Sequence, residues 1–226
     1  ILSLRRITIT IDVTKMDTIS DVVIKPLEKS IYMKPFTMHF TQNGTKRTWD
    51  LLSVHDSVAI IIYNITRDVL IFVKQFRPAV YFGTIPEEER KVNAVIDTQK
   101  YPAELGITIE LCAGIVDKNL PLAEIAKEEV LEECGYNVPV RSLEKIGSYR
   151  SGVGTLGSIQ TAFYCEVTDE MKVSEGGGVD DEIIDIVEMK VDEVRKYISQ
   201  ENIRSPPSFM FGIYWFLYHK VKQRIH

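Results

Sequence analysis

Glu129, Glu132 and Glu133 stand at i, i+3 and i+4 of a segment with helical spacing, so their carboxylates share one face. Like charges at that spacing repel unless a cation sits among them. Hard divalent cations such as Mg²⁺ take oxygen ligands and are held by a few carboxylates together with substrate phosphates. The chemistry on offer is metal-assisted work on a phosphorylated substrate. Taken alone, such a helix is more commonly a solvated acidic face, so its frame has to decide. Ala113-Gly114 precede it, Pro121 stands near its first turn and Gly135 closes it, the expected placing of Pro and Gly at helix ends.

The elements that must position this helix follow from hydrophobic period and turn residues. Residues 31–41 and 46–54 are β-prone and flank Gln42-Asn43-Gly44-Thr45, a strong hairpin signal. Residues 58–63 and 69–73 are near-continuous apolar runs, suited to strands buried on both faces. Residues 83–106 show little period and read as a mobile loop. Residues 107–112 form a strand that leads into Gly114 and the acidic helix. Further strands are expected at 143–149, 160–167 and 183–189, with a glycine-rich loop at 151–157 and a flexible acidic loop at 175–182. A helix follows at 191–200. A terminal helix opens at Phe209 and is apolar on most sides, so it must be buried on the sheet or on a partner chain. The predicted class is α/β (α+β): a mixed β-sheet sandwiched between helices, preceded by a small N-terminal β segment.

With 226 residues, 45% of them hydrophobic, the chain suits one moderate domain or a domain with a small subdomain. A net charge of −5 argues against a general nucleic-acid binder. There is no apolar run of about 18 residues, so no membrane partner is expected. Cys112, Cys134 and Cys165 lie in apolar contexts and read as reduced, buried thiols of a cytoplasmic protein. No His neighbours them to activate a catalytic thiolate. Ile1 opens the chain and the first methionine is Met16, so residues 1–15 are expected to be an extension, with a weak transit peptide as the alternative.

Residues 114–136 together resemble the Nudix box, G-x5-E-x7-R-E-U-x-E-E-x-G-U with U apolar. Gly114, Glu129, Val130, Glu132, Glu133, Gly135 and Tyr136 fall on its positions without a gap. The likeness extends to Gln75-Phe76-Arg77-Pro78-Ala79-Val80-Tyr81, Glu110-Leu111-Cys112-Ala113-Gly114, the Ser151-Gly152-Val153-Gly154 stretch and Gly176-Gly177-Gly178 with its downstream acids. This set resembles the Nudix group of ADP-ribose and UDP-sugar diphosphatases. The Asn43-Gly44 hairpin, His55-Asp56-Ser57-Val58 and the terminal segment 212–217 bring it near the animal UDP-glucose pyrophosphatase branch. The likeness runs from about Met16 to Leu217.

The resemblance implies a Nudix fold, with residues 16–55 as an N-terminal β subdomain for dimerisation and 56–226 as the hydrolase domain. It implies a homodimer, formed by exchange of N-terminal strands, and a nucleotide-sugar substrate cut at its pyrophosphate. It implies Mg²⁺, with Mn²⁺ the alternative, held by Glu129, Glu132, Glu133 and the Ala113 carbonyl. Glu133 and Glu182 are the catalytic candidates. Glu182, beside Asp180 and Asp181 on a loop able to swing in, would orient or deprotonate the water; an exposed turn is the alternative there. Arg77 is the candidate for forking onto the diphosphate, or else an edge ion pair. Glu110 reads either as a ribose or base contact or as structural, and Arg150 as a weaker phosphate contact. Tyr81, Tyr149 and Trp49 read as core or interface, with stacking on a base as the alternative, and His39 and His55 lack spaced partners.

Two box positions depart. Leu120 stands where a Glu is usual and Glu128 where an Arg is usual. Lys127 and Lys145 do not stand in the right place to compensate. Surviving metal ligands with reduced turnover are expected, and Glu128→Arg is expected to raise activity or metal affinity. A non-catalytic nucleotide-sugar sensor is the competing reading, and a structural dimer partner a third.

Overall fold

The computed structural model describes residues 18–30, 32–179 and 182–221. The expected extension at 1–15, and Asp180 and Asp181, lie outside the described residues.

The hairpin forms where Asn-Gly places it. Strands β1 (Lys34–Gln42) and β2 (Thr45–Ser53) pair antiparallel, closing at Gln42↔Thr45. Asn43 and Gly44 take φ of 51° and 78°, the two positive values that a type I′ turn needs. Its faces are largely open, with Phe36, Met38 and Trp49 exposed. The Trp49 indole N–H donates to the Gly154 carbonyl at 2.7 Å, and the Leu52 N–H to the Thr155 carbonyl at 2.8 Å.

The main sheet has seven strands. These are β3 (Ser57–Asn64), β4 (Val69–Phe76), β5 (Ile107–Glu110), β6 (Cys112–Ile115), β7 (Glu144–Arg150), β8 (Ile159–Val167) and β9 (Asp185–Lys190). Five run in the order β5-β4-β3-β8-β7, with β6 paired to β3 and β9 to β4. The β3–β8 pair is parallel, while β3 pairs antiparallel with β4 and β6, so the sheet is mixed. Residues 58–63 and 69–73 are buried throughout, as runs without alternation require. The segment read as one strand at 107–112 is two. Leu111 separates β5 on β4 from β6 on β3, and that jog carries Ala113 and Gly114 toward the acidic helix.

Helix α2 (Leu122–Cys134) covers one face of the sheet through Ile125, Ala126 and Val130, which join Val58, Ile60 and Ile62 in one core. Gly135 stops it in the left-handed region at φ 77°, with Gly135 N–H to the Leu131 carbonyl and Tyr136 N–H to the Val130 carbonyl. Helices α3 (Val191–Ile198) and α4 (Pro207–Phe216) serve the other face: Phe209 packs tilted against Phe72 and edge-on against Tyr197, and Phe216 packs tilted against Tyr63. The terminal helix is buried through Phe209, Gly212, Ile213 and Phe216 but leaves Tyr214 and Tyr218 exposed.

A second compact unit joins residues 18–25 to 76–107. It contains α1 (Pro78–Thr84) and a small core of Tyr81, Ile85 and Ile96 with Ile19, Val22 and Ile24 packed on it. Backbone bonds tie Ile24 to Ala94 and Ile96 to Val22, and the Tyr81 hydroxyl donates to the Tyr101 carbonyl at 2.6 Å. The expectation of a mobile loop at 83–106 is thereby corrected. Its order comes from partners far away in the chain rather than from a local period.

Candidate metal and catalytic site on helix α2

The site is built where β6 runs into the inner side of α2. A Cβ placed on Gly114 would lie 1.8 Å from a Glu129 carboxylate oxygen. The Glu129 carboxylate fills the space that a side chain would take, which is why glycine stands there. One residue earlier, the Ala113 N–H donates to Glu133 Oε2 at 2.9 Å. Ala113 pairs with Ala59 on β3. In an antiparallel ladder a residue's N–H and C=O point to the same edge. The Ala113 carbonyl therefore turns to the edge where Glu133 sits. The buried Cys112 thiol also hydrogen-bonds Glu133.

Burial dominates the electrostatics. It pushes Glu129 up to about 7, with the charges of Glu132 and Glu182 adding to it. It pushes Glu133 up to about 8, against the pull of the Ala113 N–H and the Cys112 thiol. Both carboxylates are held where ionisation is costly without a counter-charge.

Glu182, exposed on the loop before β9, lies within electrostatic reach of Glu129 and Glu133. The glycines before it are bonded to the end of α2: Gly177 N–H donates to the Glu133 carbonyl at 2.9 Å and Gly178 N–H to the Glu132 carbonyl at 3.1 Å. Gly176, at φ 71°, runs so close that a Cβ would stand 2.4 Å from the Glu133 carbonyl oxygen. The glycines thus hold the segment that precedes Glu182 against the end of α2. Glu182 Oε2 accepts the Val179 N–H at 3.1 Å.

The other expected residues are placed differently. Glu110 is buried and accepts the Thr108 hydroxyl at 2.6 Å, surroundings that support its structural alternative. Arg150 donates to the Gly157 carbonyl at 2.5 Å and so braces the glycine-rich loop. Ser148, two residues before it, stands in the row Gly114–Val58–Thr161–Ser148, three strand spacings or roughly 14 Å from Gly114. Arg77 belongs to the second unit, where it is the exposed N-cap of α1 and gives its N–H to the Gly106 carbonyl at 2.8 Å. Sequence reasoning missed Lys118, whose Nζ lies 2.6 Å from Glu128 Oε2. The signal was available: an acid in place of a base on the helix calls for a base on the neighbouring loop.

The donor set suits a hard divalent cation. It offers carboxylate oxygens and a backbone carbonyl, with two carboxylates raised above their ordinary range chiefly by burial. Among the described residues no three His, Cys, Asp or Glu side chains already converge in ligand geometry. Glu133 and Glu182 each accept a backbone N–H, from Ala113 and Val179.

No family model matches the chain. It is 39% identical to uridine diphosphate glucose pyrophosphatase NUDT14 of Bos taurus, over 89% of this chain and 95% of that protein. The mouse protein of the same name is 38% identical, with the same coverage. A GDP-mannose pyrophosphatase of Cronobacter sakazakii is 30% identical over 66% of this chain and 67% of its own. Among solved structures, an ADP compounds hydrolase superposes with a TM-score of 0.58 at 13% identity, over 88% of this chain and 95% of that one, and supports the fold. The chain belongs to the Nudix hydrolase family, close to the animal UDP-glucose pyrophosphatases.

Proposed function

We propose that this protein hydrolyses the pyrophosphate bond of a nucleoside diphosphate sugar with Mg²⁺, Mn²⁺ being the substitute. UDP-glucose is the first substrate, giving UMP and glucose 1-phosphate, and ADP-ribose a second. The observation that carries the reading is the pair of half-buried Glu129 and buried Glu133, set against Gly114 and Ala113 in a Nudix box. The choice of UDP-glucose draws on the similarity to NUDT14, which spans 95% of that relative.

Glu129, Glu132, Glu133 and the Ala113 carbonyl would hold the cation. Bound there, it would neutralise the diphosphate and stabilise charge developing on the phosphoryl oxygens. Glu182, which follows the glycine strap, would accept a proton from the attacking water at its carboxylate. Arg77 is assigned to the diphosphate on its sequence motif alone, and Arg77→Ala is expected to raise KM.

We further read the protein as a cytoplasmic homodimer. Free, buried Cys112, Cys134 and Cys165 suit a reducing compartment. Exposed Phe36, Met38 and Trp49 on the hairpin offer an apolar surface for a second copy. Among the described residues no helix is long and apolar enough to cross a membrane.

A screen of nucleoside diphosphate sugars with Mg²⁺, coupled to a phosphatase that frees phosphate from the products, tests the reading. Turnover of UDP-glucose is expected. Calorimetric binding of UDP-glucose with no turnover of any sugar would favour a nucleotide-sugar sensor instead.

A further inference from the structure

Helix α2 carries a fourth carboxylate, Glu128, next to its three clustered acids, and one side chain answers it. Lys118 reaches across from the loop at residues 116–121, which joins β6 to α2, and its Nζ lies 2.6 Å from Glu128 Oε2. Both side chains are half open, at 51% and 38% of full exposure, so the pair does not hold the fold together. Its placing is what matters. The loop leaves β6 just after Gly114, the residue on which Glu129 rests, and enters α2 two turns before Glu129. The charge of Lys118 also acts on Glu129 and Glu132. The usual order of the box, acid on the loop and base on the helix, is here reversed.

We propose that Lys118 is a positioning residue for the hydrolytic site: its ion pair with Glu128 latches the 116–121 loop to α2 and keeps Glu128 from joining the metal-binding cluster. The proposal rests on the hydrolase reading above. Lys118 itself touches neither substrate nor cation in this role; it acts through the loop and through Glu128.

Four proteins test it: the wild type, Lys118→Glu, Glu128→Lys and the double swap. The first readout is kcat for UDP-glucose at saturating Mg²⁺. The latch predicts a fall of about two- to fivefold in both single variants, the range of an exposed ion pair, and recovery in the swap. The second readout needs no turnover: amide hydrogen exchange of residues 116–121 in metal-free protein should quicken in both singles and return in the swap. If charge alone acted, the singles would shift Mn²⁺ affinity in opposite directions while kcat at saturating metal and loop exchange stayed put. That result would overturn the latch. A wild type that cleaves no nucleotide sugar would sink the hydrolase reading, and hydrogen exchange would still decide the latch.

Discussion

The inner and outer sides of α2 hold their charges by different means. On the inner side, Glu129 lies in the space left by Gly114, Glu133 takes the Ala113 N–H, and a glycine loop bonds the Glu132 and Glu133 carbonyls. On the outer side, Glu128 is held by the single side chain of Lys118. Backbone groups cannot be lost by substitution, so the inner carboxylates keep their positions through large surface change. The outer pair is exposed and exchangeable, so its signs can reverse while the chemistry survives. On this reading a box loses its usual helix base and keeps the carboxylates that we assign to the metal.

That contrast ranks the expected effects. Glu133→Gln keeps size and shape on the inner side and removes only charge. Hydrolysis is expected to fall at least about 100-fold, with little change in the melting temperature of metal-free protein at neutral pH, where Glu133, raised to about 8, is already mostly protonated. Retained activity would break the inner-side account. Gly176→Ala attacks the strap: a Cβ at φ 71° would press on the Glu133 carbonyl oxygen. Strain of this kind costs about 1–3 kcal/mol, or a drop of several degrees in melting. An unchanged Tm would mean that the strap is loose.

The third prediction uses pH. Glu129 and Glu133 are raised to about 7 and about 8 in the folded chain, from an ordinary 4.5. Between those values the folded state holds more protons than the unfolded one, so stability falls as pH rises. With a chelator present, the urea midpoint should be lower at pH 8.5 than at pH ~5.5 as far as these two groups decide it. Added Mg²⁺ should recover most of the difference at high pH. A midpoint indifferent to Mg²⁺ at pH 8.5 would contradict the assigned ligands.

The smallest effect belongs to the outer side. From the box pattern alone, Glu128→Arg looks like a repair. With Lys118 facing that position, it sets two cations against each other, so turnover is expected to drop by a few-fold at most. A rise would restore the simpler view that the missing arginine limits the enzyme.

These differences follow how each feature is written in the chain. Local signals were legible: Asn43-Gly44 marks the hairpin, the apolar runs of β3 and β4 mark the central strands, and Pro121 and Gly135 bracket α2. The fold class followed from their order. What stayed hidden depends on partners distant in sequence. Ile85 and Ile96 find their core against Ile19, Val22 and Ile24, so residues 83–106 carry no period of their own. Arg150 could be recognised as a cation, but not as one turned to the Gly157 carbonyl. Lys118 stands ten residues before its partner, a pairing that only the loop path creates. For the site itself, residue types gave the carboxylates, while the docking of the 176–178 loop needed coordinates.

The central claim is that the inner carboxylates of α2 are the metal site. Titrating Mn²⁺ into the wild type and into Glu129→Gln/Glu133→Gln, followed by electron paramagnetic resonance, tests it most directly. The account predicts saturable binding in the wild type and its loss in the double variant, with the fold intact by circular dichroism. Equal binding in both proteins would contradict it.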